Sequence, residues 1–397
     1  MGHYGAAKPN SNSTLRPDLI KQYCTGRYNV IPLNLIQRRD KKRRFDLIGL
    51  SLPATGAPFG WSVATGELIS AFQDLTDTYI ITDACPKSIH GIPVLHAVAG
   101  VNMLPLRPQF WSAVRNIGYC FCEDNLTLKK YLRAARAFDA IVCGSTWGTE
   151  VFRSYGFESI SVAIQGVAPE FFEVPPRQDV GQFVVFSGGK AEYRKGQDVA
   201  VKAMKIFMSM HKDVWLSRAW HNPWGAQIPG YADIMAAEQD LDQMRVMGPR
   251  SASVEHRLMS GVYKCSDIGL FPNRCEAGTN LVMMEYMACG RPVIATYATG
   301  HTDVLEKFDC FNLAQSKPLT VRGPDGVASA EWVEPDLDEI IAVLEFAYHN
   351  RGELRWHGDA NRNRMKRFTW RACAEALLKA LEAPMLRERP GLDVVVE

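Results

Sequence analysis

From Asp46 onward, short apolar runs alternate with longer amphipathic stretches. Leu47-Ile48-Gly49-Leu50-Ser51-Leu52 reads as a buried strand, Ala54 to Gly60 as a Gly/Pro/Thr loop, and Ser62 to Leu75 as a helix. Further strands are expected at 79–82, 93–96, 117–121, 139–143 and 160–164. A helix is expected over Leu126–Ala137, and another starts at the Ser145 cap and runs through Tyr155. Residues 173–182, with two prolines and a polar tail, read as a linker.

The same alternation resumes after the linker. Strands are predicted at 183–186, 214–218, 245–247, 268–271 and 292–296. Helices are predicted at 197–210, 234–239, 254–265, 281–289 and 337–350, with a last amphipathic helix from Trp370 to Leu381. Strands separated by helical patterns imply βαβ units and parallel sheets covered by helices on both faces. The fold class is therefore α/β, with two doubly wound, Rossmann-like domains facing a cleft. Ligands in such sheets bind beyond the carboxyl ends of the strands. The expected division is a basic arm over 1–44, a first domain over 45–174, a second over 175–366, and a C-terminal helix and tail over 367–397 that cross back to the first domain.

Composition narrows this picture modestly. A chain of 397 residues suits two domains of roughly 150–200 residues. A net charge of +2 names no partner in bulk, but the run Arg38-Arg39-Asp40-Lys41-Lys42-Arg43-Arg44 is locally basic. The 10 cysteines form no C-x-x-C pair, and several sit inside apolar runs. Reduced thiols in a cytoplasmic protein fit this better than a disulfide scaffold or a zinc site. No signal peptide is visible, and no segment approaches the roughly 18–20 apolar residues of a membrane span.

The strand ending at Phe271-Pro272 leads into Asn273-Arg274-Cys275-Glu276-Ala277-Gly278-Thr279-Asn280 and then a helix that stops near Gly290. Thr279 or Asn280 suits the N-cap, and Gly290 suits the terminator. A short loop ending at a helix N-terminus points free N–H groups and the positive dipole end at one spot, which suits an anion. Glu276 and Glu285 flank that spot and suit hydroxyls on either side of a bound phosphate. Ser187-Gly188-Gly189-Lys190 and Arg194-Lys195-Gly196-Gln197 follow the first strand of the second half without P-loop spacing. Lys190 and Lys195 would balance charge on a leaving diphosphate.

These motifs, with Trp220-His221-Asn222-Pro223, Val246-Met247-Gly248, Glu285-Tyr286-Met287-Ala288-Cys289-Gly290-Arg291-Pro292 and Trp332-Val333-Glu334-Pro335, resemble the donor domain of the GT-B retaining glycosyltransferases of family 4. In the first half, Phe138 to Trp147 and Gln165-Gly166-Val167 fit too; the likeness covers roughly residues 115–382. The resemblance implies that Glu276 contacts the transferred sugar and Glu285 the ribose. Lys190, Lys195 and the backbone of Gly278, Thr279 and Asn280 would hold the diphosphate, and Val246 and Met247 would lie beside the base. It implies transfer with retention from a nucleotide-diphosphate sugar to an acceptor hydroxyl, with no metal or organic cofactor. The family spaces its two glutamates eight positions apart, whereas here the separation is nine. Either the loop carries one extra residue, or Ala277 takes the usual place and Glu276 reaches in from beside it.

The first half would supply the acceptor site, with Glu123 and His96 as candidates, while its loop Ala54 to Gly60 resembles the family's Gly-containing loop after the first strand, which implies that Gly60 approaches the donor phosphates. Core packing is the competing reading for His96, Trp220 and Trp224, and helix capping for Glu123. Asp336-Leu337-Asp338 spells a metal-binding DXD but opens a helix, where acidic residues cap. Two other functions compete. The basic run admits nucleic acid as the acceptor, as in transfer to a hydroxylated pyrimidine of DNA. The shifted glutamate spacing admits a non-catalytic sugar-nucleotide-binding protein.

Overall fold

Strand β1 (Leu47–Ser51) lies buried between β2 (Asp77–Ile80) and β3 (Pro93–Val98). The computed structural model describes residues 47–55, 60–81, 89, 91–107, 113–177, 181–222, 230–248, 255–307 and 309–383. The basic run 38–44, the loop centre 56–59 and Trp224 lie outside these. Helix α1 (Gly60–Leu75) follows β1 and packs Leu68 and Phe72 onto the sheet. Strand β4 (Arg115–Cys120), helix α2 (Leu132–Ala135), strand β5 (Ala140–Cys143), helix α3 (Thr146–Ser154) and strand β6 (Ile160–Val162) complete the first half. The sheet is wholly parallel, in the order β2-β1-β3-β4-β5-β6.

The second half repeats the plan. Its elements are β7 (Phe183–Lys190), α4 (Gln197–Met210), β8 (Val214–His221), α5 (Tyr231–Asp240), β9 (Val246–Met247), α6 (Met259–Tyr263), β10 (Ile268–Phe271), α7 (Leu281–Ala288), β11 (Val293–Thr296) and β12 (Asn312–Leu313). The parallel sheet runs β12-β11-β10-β7-β8-β9. The chain grows outward on one side of β7 and then on the other. The switch point falls between β7 and β10, where doubly wound sheets take their ligands.

Three features go beyond the predicted elements. An antiparallel hairpin, β13 (Ser316–Arg322) with β14 (Ala328–Pro335), leans on the first half. The Trp332 indole N–H donates to the Glu123 carbonyl at 2.9 Å, and the Leu126 N–H to the Ser329 carbonyl at 3.1 Å. That hairpin takes the opening amide of the stretch read as one helix, which folds as a 3₁₀ turn over Thr127–Tyr131 followed by α2. β7 runs on through Gly188-Gly189-Lys190 because β8 stays beside it to His221. After α8 (Leu337–His349), helix α9 (Leu354–Met365) had no counterpart in the predicted elements.

Helix α10 (Trp370–Glu382) crosses back, as expected. Trp370, Cys373, Leu377 and Leu381 share one core with Ile48, Leu50, Leu95 and Phe72 of the first half. Burying each large apolar side chain contributes about 1.5–3 kcal/mol, so this helix fastens the two halves to each other. Among the described residues no helix is long and apolar enough to cross a membrane. All described cysteines are free thiols.

Candidate active site

The loops after β1, β3 and β4 of the first sheet meet those after β7 and β10 of the second around one cleft of about 530 Å³. Lys190, Lys195, Glu276, Gly278, Asn280, Glu285, Gly60 and Glu123 all line it. Two helices begin at its edge, α1 at Gly60 and α7 just after Asn280, so two positive dipole ends face the same space.

Glu276 is 5% exposed and is held from both sides of its peptide. Its N–H donates to Thr299 Oγ1 at 2.9 Å, and its carbonyl accepts from the Gly300 N–H at 2.9 Å. Its carboxylate accepts from Arg194 Nη1 at 3.0 Å, from Lys195 Nζ and from Asn273 Nδ2. Burial alone would raise this carboxyl, but Lys195 and Arg194 beside it bring it down to about 2. Glu276 is therefore an ionised acceptor at neutral pH. An ionised carboxylate offers about four lone-pair positions; three donors leave one for a hydroxyl. Arg194 and Lys195 are placed by the turn between β7 and α4. That turn ends at Gly196, whose φ of 70° is left-handed and where a Cβ would lie 2.1 Å from the Pro272 carbonyl oxygen.

The nine-residue glutamate separation has a local explanation. Ala277 is buried, and its carbonyl accepts from Ser145 Oγ of the first half at 2.6 Å. Glu276, one position earlier, is the residue that lines the cleft. Gly278 follows with the Phe121 ring so close that a Cβ would lie 2.9 Å from it. Asn280 caps α7 from a left-handed φ of 63° and accepts from the Met283 N–H at 3.4 Å. Thr279 is fully buried and is not among the lining residues.

Glu285, on the second turn of α7, accepts from His256 Nε2 at 2.7 Å and from the Tyr263 hydroxyl at 2.9 Å. Burial pushes the His256 imidazole down, but the hydrogen bond and charge of Glu285 outweigh it and raise it above its ordinary value. Lys190 pairs with Glu192 at 2.9 Å. Glu123 lies 3.5 Å from Arg194 Nε, so that arginine links a first-half carboxylate to Glu276 across the cleft.

Several sequence candidates stand elsewhere. Val246 and Met247 form the edge strand β9 beside Leu216 and Ser217 and do not line this cleft; Ala219, His221, His256 and Met259 line its β8 side. Arg274, which opens the motif loop, turns away from the cleft. Its guanidinium clasps Asp198 at 2.7 and 2.8 Å and Glu334 at 2.9 Å, and stacks on the Tyr193 ring at 3.8 Å. It fixes the loop that carries Glu276. His96 is a core residue: it is fully buried, bonded to Asn116 at 2.8 Å, and lowered by burial to about 4. Trp220 is buried in the second-half core. Asp336 caps α8, accepting from the Glu339 N–H at 3.0 Å. The residues not singled out from sequence are Arg194, His256, Tyr263 and Gln165. Arg194 and Gln165 at least stand in the motifs quoted above, beside Lys195 and Gly166.

Residues 181–318 match the family described as glycosyl transferases group 1. This segment holds Lys190, Arg194, Lys195, Glu276 and Glu285. The fold is GT-B. Among solved structures, a sucrose-phosphate synthase from Thermosynechococcus elongatus superposes with a TM-score of 0.58 at 14% identity, over 84% of this chain and 97% of that one. An alpha,alpha-trehalose-phosphate synthase (UDP-forming) from Burkholderia xenovorans, solved with glucose-6-phosphate, gives 0.55 at 11%, over 81% and 77%. An alpha,alpha-trehalose 6-phosphate synthase from Burkholderia multivorans gives 0.56 at 14%, over 81% and 75%. At these identities the likeness of the GT-B neighbours establishes the fold alone. No curated protein sequence matches the chain.

Proposed function

We propose that this chain is a retaining glycosyltransferase that moves a sugar from a nucleotide-diphosphate sugar to an acceptor hydroxyl. One observation carries the reading: Lys190, Arg194 and Lys195 converge with Glu276, Glu285 and two helix N-termini on one cleft between two Rossmann-like sheets. The group 1 match over 181–318 and the GT-B neighbours support it. The trehalose-phosphate synthase from Burkholderia xenovorans is described as UDP-forming, which motivates testing UDP-sugars first.

In this reading the diphosphate lies at the start of α7, beside Gly278 and Asn280, within reach of Lys190 and Lys195. Fixed cations and helix dipoles stabilise the charge that grows on the leaving group. Glu276 accepts a hydroxyl of the transferred sugar, and Glu285, held by His256 and Tyr263, accepts the ribose diol. The bond from the anomeric carbon to the diphosphate breaks. The acceptor oxygen bonds to that carbon on the same face, and its proton passes to the departing phosphate oxygen. Glu123 stands on the acceptor side.

A panel of UDP-, GDP- and ADP-sugars tests the proposal, with release of nucleoside diphosphate as the readout. Turnover with one donor that falls about 100-fold or more in Glu276→Ala supports it. Turnover unchanged in Glu276→Ala would remove Glu276 from the reaction, and binding without turnover across broad acceptor sets favours a non-catalytic binding protein.

A further inference from the structure

We infer that the acceptor hydroxyl belongs to an uncharged, largely apolar molecule, such as a phenol or an aliphatic alcohol, and not to a sugar phosphate. The inference rests on the proposed donor site in the second half.

The first-half wall of the cleft is the basis. Trp61, Val63, Val101, Leu106 and Phe121 form its surface. Glu123 is its one ionisable lining side chain among the described residues, and no lysine, arginine or histidine of the first half lines it. Arg107, next to Leu106, turns its Nε–H to the Leu52 carbonyl at 2.9 Å and is not a lining residue. Among the described residues every lining cation belongs to the second half, where Arg194 and Lys195 already hold Glu276 and Lys190 holds Glu192. A phosphorylated acceptor would bring a dianion to a wall whose one ionisable side chain among the described residues is a carboxyl group, with no cation beside it from the same half.

The rim points the same way. Val101 is 60% exposed, Leu104 44% and Leu106 41%, all on the turn between β3 and β4 that enters the cleft. Isolated exposed apolar residues are ordinary. Val101 and Leu106 line the cleft with the aromatic wall, and this apolar surface gains by being covered. The Trp61 and Phe121 rings meet edge to face at 5.1 Å, a rigid aromatic floor suited to a flat or aliphatic body. Near that floor the described residues of the first half offer few polar side chains, Glu123 and the Gln165 amide. A free sugar, with a hydroxyl on nearly every carbon, would lose more hydrogen bonds to water than these can replace. One hydroxyl on an apolar body would find its acceptor in Glu123.

The experiment has two arms. Donor affinity is measured by calorimetry with sugar nucleotides. Transfer is then measured by mass spectrometry with the best donor and four acceptors: a naphthol, a medium-chain alcohol, a free hexose and a hexose phosphate. The expected result is glycosylation of the naphthol or the alcohol with kcat/KM at least about 100-fold above the hexose phosphate. Val101→Lys and Leu106→Lys, both at exposed positions that the fold tolerates, should raise the apolar acceptor's KM about tenfold and leave donor affinity unchanged. Preferred transfer to either hexose, or an unchanged acceptor KM in both variants, overturns the inference while leaving the donor reading intact. If no sugar nucleotide binds, the donor reading fails and the inference with it.

Discussion

Both halves of the molecule send the loops beyond their central strands to the same cleft, yet the two walls differ in chemistry. The second-half wall gathers Arg194 and Lys195 around Glu276, sets Lys190 against Glu192, and places Glu285 between His256 and Tyr263. The first-half wall gathers Trp61, Val101, Leu106 and Phe121 around Glu123. The same topology therefore builds a charged cradle on one side and an apolar platform on the other. The topology fixes where ligands bind, and the loop residues fix which ligands.

Changes to the cradle should have the largest effects. Lys195→Met is expected to lower kcat/KM for donor turnover by about 10²–10³-fold, as removal of a fixed charge at a developing anion does; steady-state kinetics checks this, with circular dichroism confirming the fold. Next comes His256→Ala. It leaves Glu285 with Tyr263 alone and should weaken nucleoside-diphosphate binding about tenfold, or about 1.4 kcal/mol, in a calorimetric titration. If it affects acceptor KM instead, the division of labour between the walls is wrong.

A third prediction treats the halves alike. Among the described residues the first half buries His96 and the second His301, and burial lowers each imidazole from 6.5 to about 4. An unfolded chain binds those protons more readily. Their contribution is therefore complete above pH 6.5 and is lost as pH falls toward 4. Each should cost up to about 3 kcal/mol across that window, read from denaturant midpoints at stepped pH. A midpoint flat between pH 7 and 4.5 would contradict this. A fourth prediction concerns the seam between the halves. Ser145→Ala removes two buried hydrogen bonds, its donation to the Ala277 carbonyl and its capping acceptance from the Gly148 N–H at the start of α3, and should cost about 2 kcal/mol in the same assay.

The parts legible in sequence are those where apolar period and function coincide. Strand β10, the motif loop and helix α7 fall where the pattern placed them, because Ile268–Phe271 is a buried run and Asn280 and Gly290 bracket an apolar helix. Helix α9 was hidden because only the ends of its buried face, Leu354 and Met365, are apolar, while Gly358 and Asn361 between them break the hydrophobic period. Arg362 caps the end of α7 by donating to the Ala288 and Cys289 carbonyls at 3.2 and 2.8 Å, and Asn361 donates to the Arg291 carbonyl at 3.1 Å. Hydrophobic period carries no trace of such bonds. The roles of Arg194 and Arg274 were equally hidden. Both are arginines in motif loops, and only tertiary contact turns one toward Glu276 and the other toward Asp198. The likeness of the Val246–Met247 segment to the family motif did not reveal that the edge strand sits off the cleft lining.

The central claim is that the second-half wall is the sugar-nucleotide site. Calorimetric titration of wild type and Lys195→Met with UDP, GDP and ADP tests it most directly. The account predicts saturable binding of at least one nucleotide to wild type, weakened at least tenfold in the variant. Equal binding to both proteins, or binding of none of the three to wild type, would contradict it.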